Sequence, residues 1–347
     1  MTDPPSRPHP TTLAVDAMGG DLGPAAVVPA VVELLGERSE VEVLLCGRPE
    51  ALEPLLPRNE ALRARIRIEP AQEVVAMDDP PSRALRSKKD SSMRRAVAAV
   101  AEGRAAACLS SGNTGALMAL AYMILKTLPG IDRPAICAPI PAHGRPTLML
   151  DLGANLEAND EHLVQFALMG ATLACAVYGI EEPTVGLLNV GSEENKGHET
   201  LRRAHRRLAA SVPGYRGYVE GHDIHAGVVD VIVTDGFTGN VALKTAEGLA
   251  LYIAGILREE FTASPLSRLQ AAAASGVLGR VRRRLDPGRY NGASLLGLRG
   301  IVVKSHGRSD AGAVRRALDR TLQEVAFDVP GQLARRLAVP SPEASAL

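Results

Sequence analysis

The sequence predicts an α/β protein on a largely parallel sheet, and three observations predict it. Short apolar or β-branched runs end again and again in a loop of Asp, Asn, Ser and Gly that opens a helix-compatible stretch. These strand, loop and helix units alternate along most of the chain, as in βαβ connections. The chain has 347 residues, 46% of them hydrophobic and only 3% aromatic with no Trp, so a large core is available and must be built from Ala, Val, Leu and Ile.

Residues 1–10, with Pro4, Pro5, Pro8 and Pro10, read as a disordered lead-in. Thr12 to Val15 is the first strand and runs into Asp16-Ala17-Met18-Gly19-Gly20-Asp21. Pro24 then suits the first position of a helix to about Leu35. The glycine spacing is not GxGxxG, so a dinucleotide fingerprint is unsupported. Val41 to Leu45 and Ile66 to Ile68 are further strands, with helical pieces at Pro49 to Leu56 and Glu60 to Arg65 between them. Met77 to Asp90 is too polar for core and reads as a loop over the sheet edge or a solvated charge run. Ser91 and Ser92 cap a helix to about Glu102. Ala106 to Leu109 is a buried strand leading into Ser110-Ser111-Gly112-Asn113-Thr114-Gly115, whose hydroxyls serve either as N-caps or, between flanking glycines, as a ligand cradle.

Pro134 to Ile140 and Thr147 to Asp151 are strands joined by a turn at His143-Gly144, and a long helix follows from about Asp160 to Tyr178. Thr184 to Leu188 leads into Asn189 to Gly197, then an Arg-rich helix from His198 to Ala210. Val229 to Val233 ends in Asp235-Gly236-Phe237-Thr238-Gly239, and a helix runs from Asn240 through Arg258. That stretch is either an ordinary connection or an anion site at a helix start. Thr262 to Leu285 breaks the alternation. Leu266, Leu269, Ala273, Val277, Val281 and Leu285 recur at helical spacing, ending in a cluster of Arg280, Arg282, Arg283 and Arg284. It is a basic amphipathic piece for an anionic membrane or acidic partner, or a hairpin packed on a neighbouring subunit. Leu295 to Val303 is a last strand region with a Gly break, followed by Lys304-Ser305-His306-Gly307 and a helix from about Ala313 to Val325. Residues 11–335 thus read as one domain, with 262–290 protruding as a helical insertion and 336–347 as a flexible tail.

Composition excludes several classes. Formal net charge is zero, which argues against a nucleic-acid binder. Cys46, Cys108, Cys137 and Cys175 stand singly in apolar runs and read as core residues rather than disulfides or zinc ligands. His222 and His225 lack a third ligand, so no metal site is expected. No GxxxxGK[ST] and no GxSxG occurs. The start lacks an apolar signal core, and no uncharged apolar run approaches the ~20 residues that span a bilayer, so a cytoplasmic protein is expected. Lysines are few, and Lys88, Lys89, Lys196, Lys244 and Lys304 all fall in the polar loops or helix starts described above.

Six motifs occur in fixed order: DAMGGD at Asp16 to Asp21, SGNTGA at Ser111 to Ala116, DLGAN at Asp151 to Asn155, NVGSEENKG at Asn189 to Gly197, TDGFTGNVALKTAEG at Thr234 to Gly248 and VKSHGRSD at Val303 to Asp310. Together they resemble the bacterial phosphate acyltransferases of phospholipid synthesis, from about Leu13 to Leu322 and least closely between Thr262 and Tyr290. The resemblance implies that long-chain acyl-acyl carrier protein and inorganic phosphate give acyl phosphate and free carrier protein, without metal or organic cofactor. It also implies that residues 11–335 form a single catalytic domain, a three-layer α/β/α sandwich of the isopropylmalate-dehydrogenase-like fold shared with phosphotransacetylases, together with a homodimer, peripheral membrane association and contact with the downstream glycerol-3-phosphate acyltransferase.

On this reading Lys196, Lys304 and His306 hold phosphate, helped by N–H groups near Gly236 and Gly239, and Asn240 donates to the thioester oxyanion. Asp16 and Asp235 orient these donors. Further substrate contacts are expected from Gly19, Gly20, Ser111, Gly112, Asn113, Thr114, Asp151, Asn155, Asn189 and Glu193. Lys244 is expected only to support the loop or pair with Asp235. A CoA-dependent phosphotransacetylase, a metal-dependent hydroxy-acid dehydrogenase and a non-catalytic membrane scaffold remain as alternatives.

Overall fold

The computed structural model describes residues 10–285 and 291–338, except the side chains of 282–285. The expectations for residues 1–9, for the end of the helical insertion at 286–290 and for 339–347 lie outside the described residues, as does the arginine cluster at 282–284. The strands are β1 (Thr11–Asp16), β2 (Val41–Gly47), β3 (Ile66–Pro70), β4 (Ala107–Ser110), β5 (Ala135–Ile140), β6 (Thr147–Leu150), β7 (Val185–Leu188), β8 (Tyr215–Val219), β9 (Val231–Val233), β10 (Ala293–Leu296) and β11 (Ile301–Lys304). They form one sheet in the order β3-β2-β1-β4-β11-β10-β5-β6-β9-β7-β8. The first five are mutually parallel, as are the last four. Between them β10 and β5 pair antiparallel with both neighbours, so the two parallel blocks run in opposite senses.

The helices are α1 (Pro24–Glu37), α2 (Pro49–Leu52), α3 (Glu60–Arg63), α4 (Pro81–Arg86), α5 (Ser92–Ala101), α6 (Thr114–Leu125), α7 (Asp160–Tyr178), α8 (Glu199–Ser211), α9 (Gly236–Thr262), α10 (Pro265–Ala273), α11 (Ser275–Leu285), α12 (Ala311–Ala326) and α13 (Val329–Ala338). Strand alternation divides the core into layers. Leu13 and Val15 of β1, Leu109 of β4 and Val303 of β11 pack with α1 and α12. Leu148 and Leu150 of β6 with Val231 and Val233 of β9 pack with α7, α8 and α13. The intervening positions, Ala14, Cys108, Val302, Ile136, Met149 and Ile232, form one layer on the opposite face of both blocks, under α5, α6 and the start of α9.

Several expectations needed correction. The 77–90 segment is not a plain loop: it holds α4, and its Asp79 is buried, bonded to Lys88 and within 3.2 Å of Arg83. Ser91 stands at the N-cap of α5, but its hydroxyl donates to the Lys88 carbonyl instead of capping. β8 was missed because Arg216 and Gly217 interrupt its apolar pattern on the sheet edge. Residues 336–338 are not tail but the last turn of α13. Cys46, Cys108 and Cys137 are buried, and Cys175 is half-buried with its Sγ 3.0 Å from Arg336 Nη2. Among the described residues two helices are long and apolar enough by length and composition to cross a membrane. One, α7, is a core helix; the other, α9, is unburied over its apolar window. Lys244 and Glu247 interrupt α9, so it holds no uncharged run of that length.

Candidate active site

In the first block the ends of three adjacent strands lie level. Asp16 of β1 pairs in register with Ser110 of β4, which pairs with Lys304 of β11. Strand parity turns all three side chains to the face under α5 and α6. The Ser110 hydroxyl donates to Asp16 Oδ2 at 2.6 Å and accepts from the Gly112 N–H at 3.1 Å. Asp16 is fully buried, and burial raises its carboxyl pKa against the opposing Ser110 bond. Gly19 is required here, since a Cβ would sit 2.6 Å from Asp16 Oδ2 and 2.7 Å from Gly112 N. Gly20 carries φ 86°, and its loop is tied down by the Asp21 N–H, which donates to the Gly307 carbonyl at 2.8 Å.

Lys304 is the central group. It is 7% exposed, and its ammonium donates to the main-chain carbonyls of Ser305 and, at 3.5 Å, Ser111. Burial pushes its pKa down to about 8; Asp16 opposes this and the Lys244 charge adds to it. Beside it the Ser111 hydroxyl is buried, with no hydrogen-bond partner among the described residues. His306 stands exposed at the rim, its Nδ1 accepting from the Arg308 N–H at 3.3 Å. Partial loss of hydration lowers its pKa, opposed by Glu247 and aided by Lys244, Lys304 and Arg308. Lys244, set aside in the sequence reading, therefore sits within electrostatic reach of both groups while pairing with Glu247 at 2.8 Å. Helix α9 carries it there by crossing the shared face, with Ala242 and Leu243 packed on that layer.

The 304–309 loop is held by a residue that sequence reasoning missed. Asn291 Oδ1 accepts from the His306 N–H at 2.9 Å, and its Nδ2 donates to Ser305 Oγ, Ser309 Oγ and the Ala313 carbonyl. In the sequence Asn291-Gly292 looks like an ordinary turn, and only the fold brings it to this loop.

In the second block Asp151 braces the site. Its buried carboxylate accepts from the N–H groups of Ile136, Ala154 and Asn155 and from Asn155 Nδ2, at 2.7 to 3.0 Å. Burial raises its pKa, and these four donors oppose the rise. Every strong acceptor position is in use, so Asp151 positions the loop and is not a free base. Asn155 is likewise committed, its amide also donating to the Pro134 carbonyl at 2.8 Å. Asp235 caps α9 by accepting from the N–H and the hydroxyl of Thr238, both at 2.8 Å.

Donors to phosphate are expected near Gly236 and Gly239, and of these the two glycines' own N–H groups are committed: they donate to the carbonyls of Asn155 and Asp235. These glycines serve close packing instead, since a Cβ on Gly239 would collide with the Asp151 carbonyl. Asn113 is also committed: its Oδ1 caps α6 at Ala116, and its Nδ2 donates to the carbonyls of Met77 and Asp79, strapping the 76–79 segment over the first block. Asn240 is different. It is exposed, its side chain has no hydrogen bond among the described residues, and it lies against Gly153, with its Cβ 3.5 Å from where a Cβ of that glycine would be. Thr114 is exposed at the adjoining cleft.

The remaining loop carries Asn189, Glu193 and Lys196. Asn189 is buried, and among the described residues neither amide atom has a partner. Lys196 and Glu193 are exposed, with Lys196 Nζ 3.9 Å from Glu193 Oε1.

The loops thus frame a cleft between two blocks of one sheet, a scaffold on which several chemistries are conceivable. The fatty acid synthesis protein family matches residues 11–331. This chain belongs to that family. Among curated members it is 51% identical over 327 residues to the phosphate acyltransferase of Alkalilimnicola ehrlichii, covering 94% of this chain and 96% of that one. It is 52% identical to the phosphate acyltransferase of Halorhodospira halophila, with 94% and 96% covered. Among solved structures the family member resembles a phosphotransacetylase from Streptococcus pyogenes, with TM-score 0.62, 16% identity and 91% and 94% of the chains covered. It also resembles 4-hydroxythreonine-4-phosphate dehydrogenase from Klebsiella pneumoniae, with TM-score 0.52, 14% identity and 91% and 99% covered. These two likenesses establish the α/β fold, in which the sheet and flanking helices of this family member have solved counterparts.

Proposed function

We propose that the protein is a phosphate acyltransferase. Inorganic phosphate attacks the thioester of a long-chain acyl-acyl carrier protein, giving acyl phosphate and the carrier thiol, the first step toward acylating glycerol 3-phosphate in phospholipid synthesis. Relatives that bear the name phosphate acyltransferase and share half their residues with this chain support the reaction class. The observation that carries the site is Lys304, a buried ammonium that among the described residues is hydrogen-bonded only to carbonyls, beside a buried hydroxyl without a partner. The Asp16 charge compensates this desolvated cation only in part, since its pKa still falls, and a phosphate anion is a ligand that completes the compensation.

Phosphate is already anionic near neutral pH, and a thiol of pKa ~8.5 is a good leaving group, so the protein's work is orientation and charge stabilisation. Lys304, the Ser111 hydroxyl and the glycine-lined turns at Gly19, Gly20 and Gly112 hold phosphate. His306 presents its other ring nitrogen from the rim, and Lys244 adds charge from α9. Lys196 approaches with its exposed loop, and Asn189 and Glu193 shape that loop. Asn240 donates to the thioester oxyanion, a role worth ~3 kcal/mol in comparable sites. As the tetrahedral adduct collapses, the C–S bond breaks and its electrons leave with sulfur.

The proposal extends to assembly. Leu249, Leu251 and Tyr252 of α9 with Leu266 and Leu269 of α10 are more than half exposed, an apolar surface that supports homodimer pairing, peripheral membrane contact and approach of the downstream acyltransferase at a cytoplasmic membrane face. Sedimentation and liposome flotation check these. The reaction is tested by incubating the full chain with hexadecanoyl-acyl carrier protein or hexadecanoyl-CoA and following thiol release. Release that requires phosphate and prefers the carrier protein supports the reading; release without phosphate, or none, overturns it.

A further inference from the structure

A cleft of about 300 Å³ opens beside the site, within the size range of small-molecule pockets. One wall is α6, where Thr114, Met118 and Tyr122 recur four residues apart and so stack on one helix face with Ala119 beside them. The opposite wall is the Gly153 to Asn155 loop, on which Asn240 rests, and Ile136 and Pro134 of the β5 entry form the floor. Apart from Arg133 the lining carries no charged side chain. Tyr122 is an exposed aromatic ring, 47% accessible, and Met118 is half-buried. The Thr114 end continues directly from Ser111 and Gly112, the loop at Lys304, so the groove begins at the anion end of the site and runs along α6 for about 12 Å.

We propose that this groove binds the alkyl chain of the acyl donor, with Ala119 and Tyr122 setting how strongly chain length counts. The assignment rests on the acyltransferase reading above. Its occupant follows from continuity and chemistry. A reacting carbonyl held between Lys304-bound phosphate and Asn240 must send its substituent away from both. This largely apolar surface, with Arg133 its one charged lining residue among those described, adjoins both loops. Met118 adds an adaptable thioether to the wall, suited to a flexible hydrocarbon. The chain enters at Thr114, lies along α6 and leaves past Tyr122 toward solvent.

The experiment compares kcat/KM for hexadecanoyl and butanoyl thioesters of the carrier protein in the wild type, Ala119→Phe and Tyr122→Ala. Ala119→Phe narrows the groove, and Tyr122→Ala removes an exposed ring that the fold does not need. Each lowers the hexadecanoyl-to-butanoyl ratio of kcat/KM at least tenfold, or about 1.4 kcal/mol. A ratio unchanged in both folded variants, with wild type active, overturns the groove assignment and leaves the acyltransferase reading intact. A wild type that cleaves neither thioester overturns the reading and the groove together.

Discussion

Replacing Lys304 by Met separates the energetic cost of the site from its function. A fall from the ordinary lysine value of 10.5 to about 8 amounts to about 3 kcal/mol of differential interaction. The sign follows from proton counting. Below pH 8 both folded and unfolded chains hold the proton, and the folded state carries the whole penalty of a buried ammonium. Between pH 8 and 10.5 the unfolded chain binds more protons, so this group's contribution to stability rises with pH, by up to about 1.4 kcal/mol per unit. The Met variant lacks the titration. The stability of the wild type minus that of Lys304→Met, from urea unfolding of the ligand-free proteins, should therefore rise by about 3 kcal/mol from pH 7.5 to 10.5. Buried thiols such as Cys46 and Cys137, whose pKa values are raised by burial, titrate alike in both chains and cancel in the difference. Phosphate at a hundred times its dissociation constant should stabilise the wild type by about 2.7 kcal/mol at pH 7 and leave the variant unmoved. Parallel pH profiles, or phosphate protection retained by the variant, would refute the reasoning.

Other outcomes follow from the same geometry. Asn240→Ala, at an exposed side chain without a hydrogen bond among the described residues, should lower kcat about a hundredfold or more with little change in the melting temperature; calorimetry and steady-state rates together check the split. Asp151→Asn turns one acceptor into a donor facing N–H groups and should cost roughly 2–4 kcal/mol in urea unfolding. Gly239→Ala drives a methyl group into the Asp151 carbonyl and should lower both stability and turnover, whereas Gly248→Ala, where a Cβ meets nothing within 4 Å, should leave turnover unchanged. Lys196→Ala should raise the KM for phosphate without changing folding; an unchanged KM would remove Lys196 from the site.

Much of the fold was legible because βαβ units advertise themselves locally. β1, β4 and β11 each join an apolar run to a polar terminus, and residue parity alone turns Asp16, Ser110 and Lys304 to one face. β8 and α13 were not legible, because Arg216 and Gly217 break the apolar pattern of an edge strand, and Pro330 and Gly331 in the first turn of α13 read as helix breakers. The reversal of the two blocks was hidden as well, since it depends on β10 inserting between β11 and β5 from the far end of the chain.

For the site, sequence identified the loops better than the roles within them. Gly236, Gly239, Asn113 and Asn155 stand in the right loops, yet their polar atoms are spent on holding those loops together. Which donors remain free is decided by tertiary hydrogen bonding. Lys244 was undervalued for a related reason: its place on α9 gave no hint that the helix crosses the shared face toward Lys304 and His306. Asn291 could be recognised only once the 304–309 loop was folded around it.

The central claim is that phosphate itself is the nucleophile, held by Lys304 while Asn240 polarises the thioester. The most direct measurement supplies fully ¹⁸O-labelled phosphate and unlabelled hexadecanoyl-acyl carrier protein to the whole protein and weighs the product by mass spectrometry. The account predicts acyl phosphate that keeps every labelled phosphate oxygen, formed in equal amount with the carrier thiol. Free fatty acid carrying a solvent oxygen, with the phosphate left unconsumed, would contradict it.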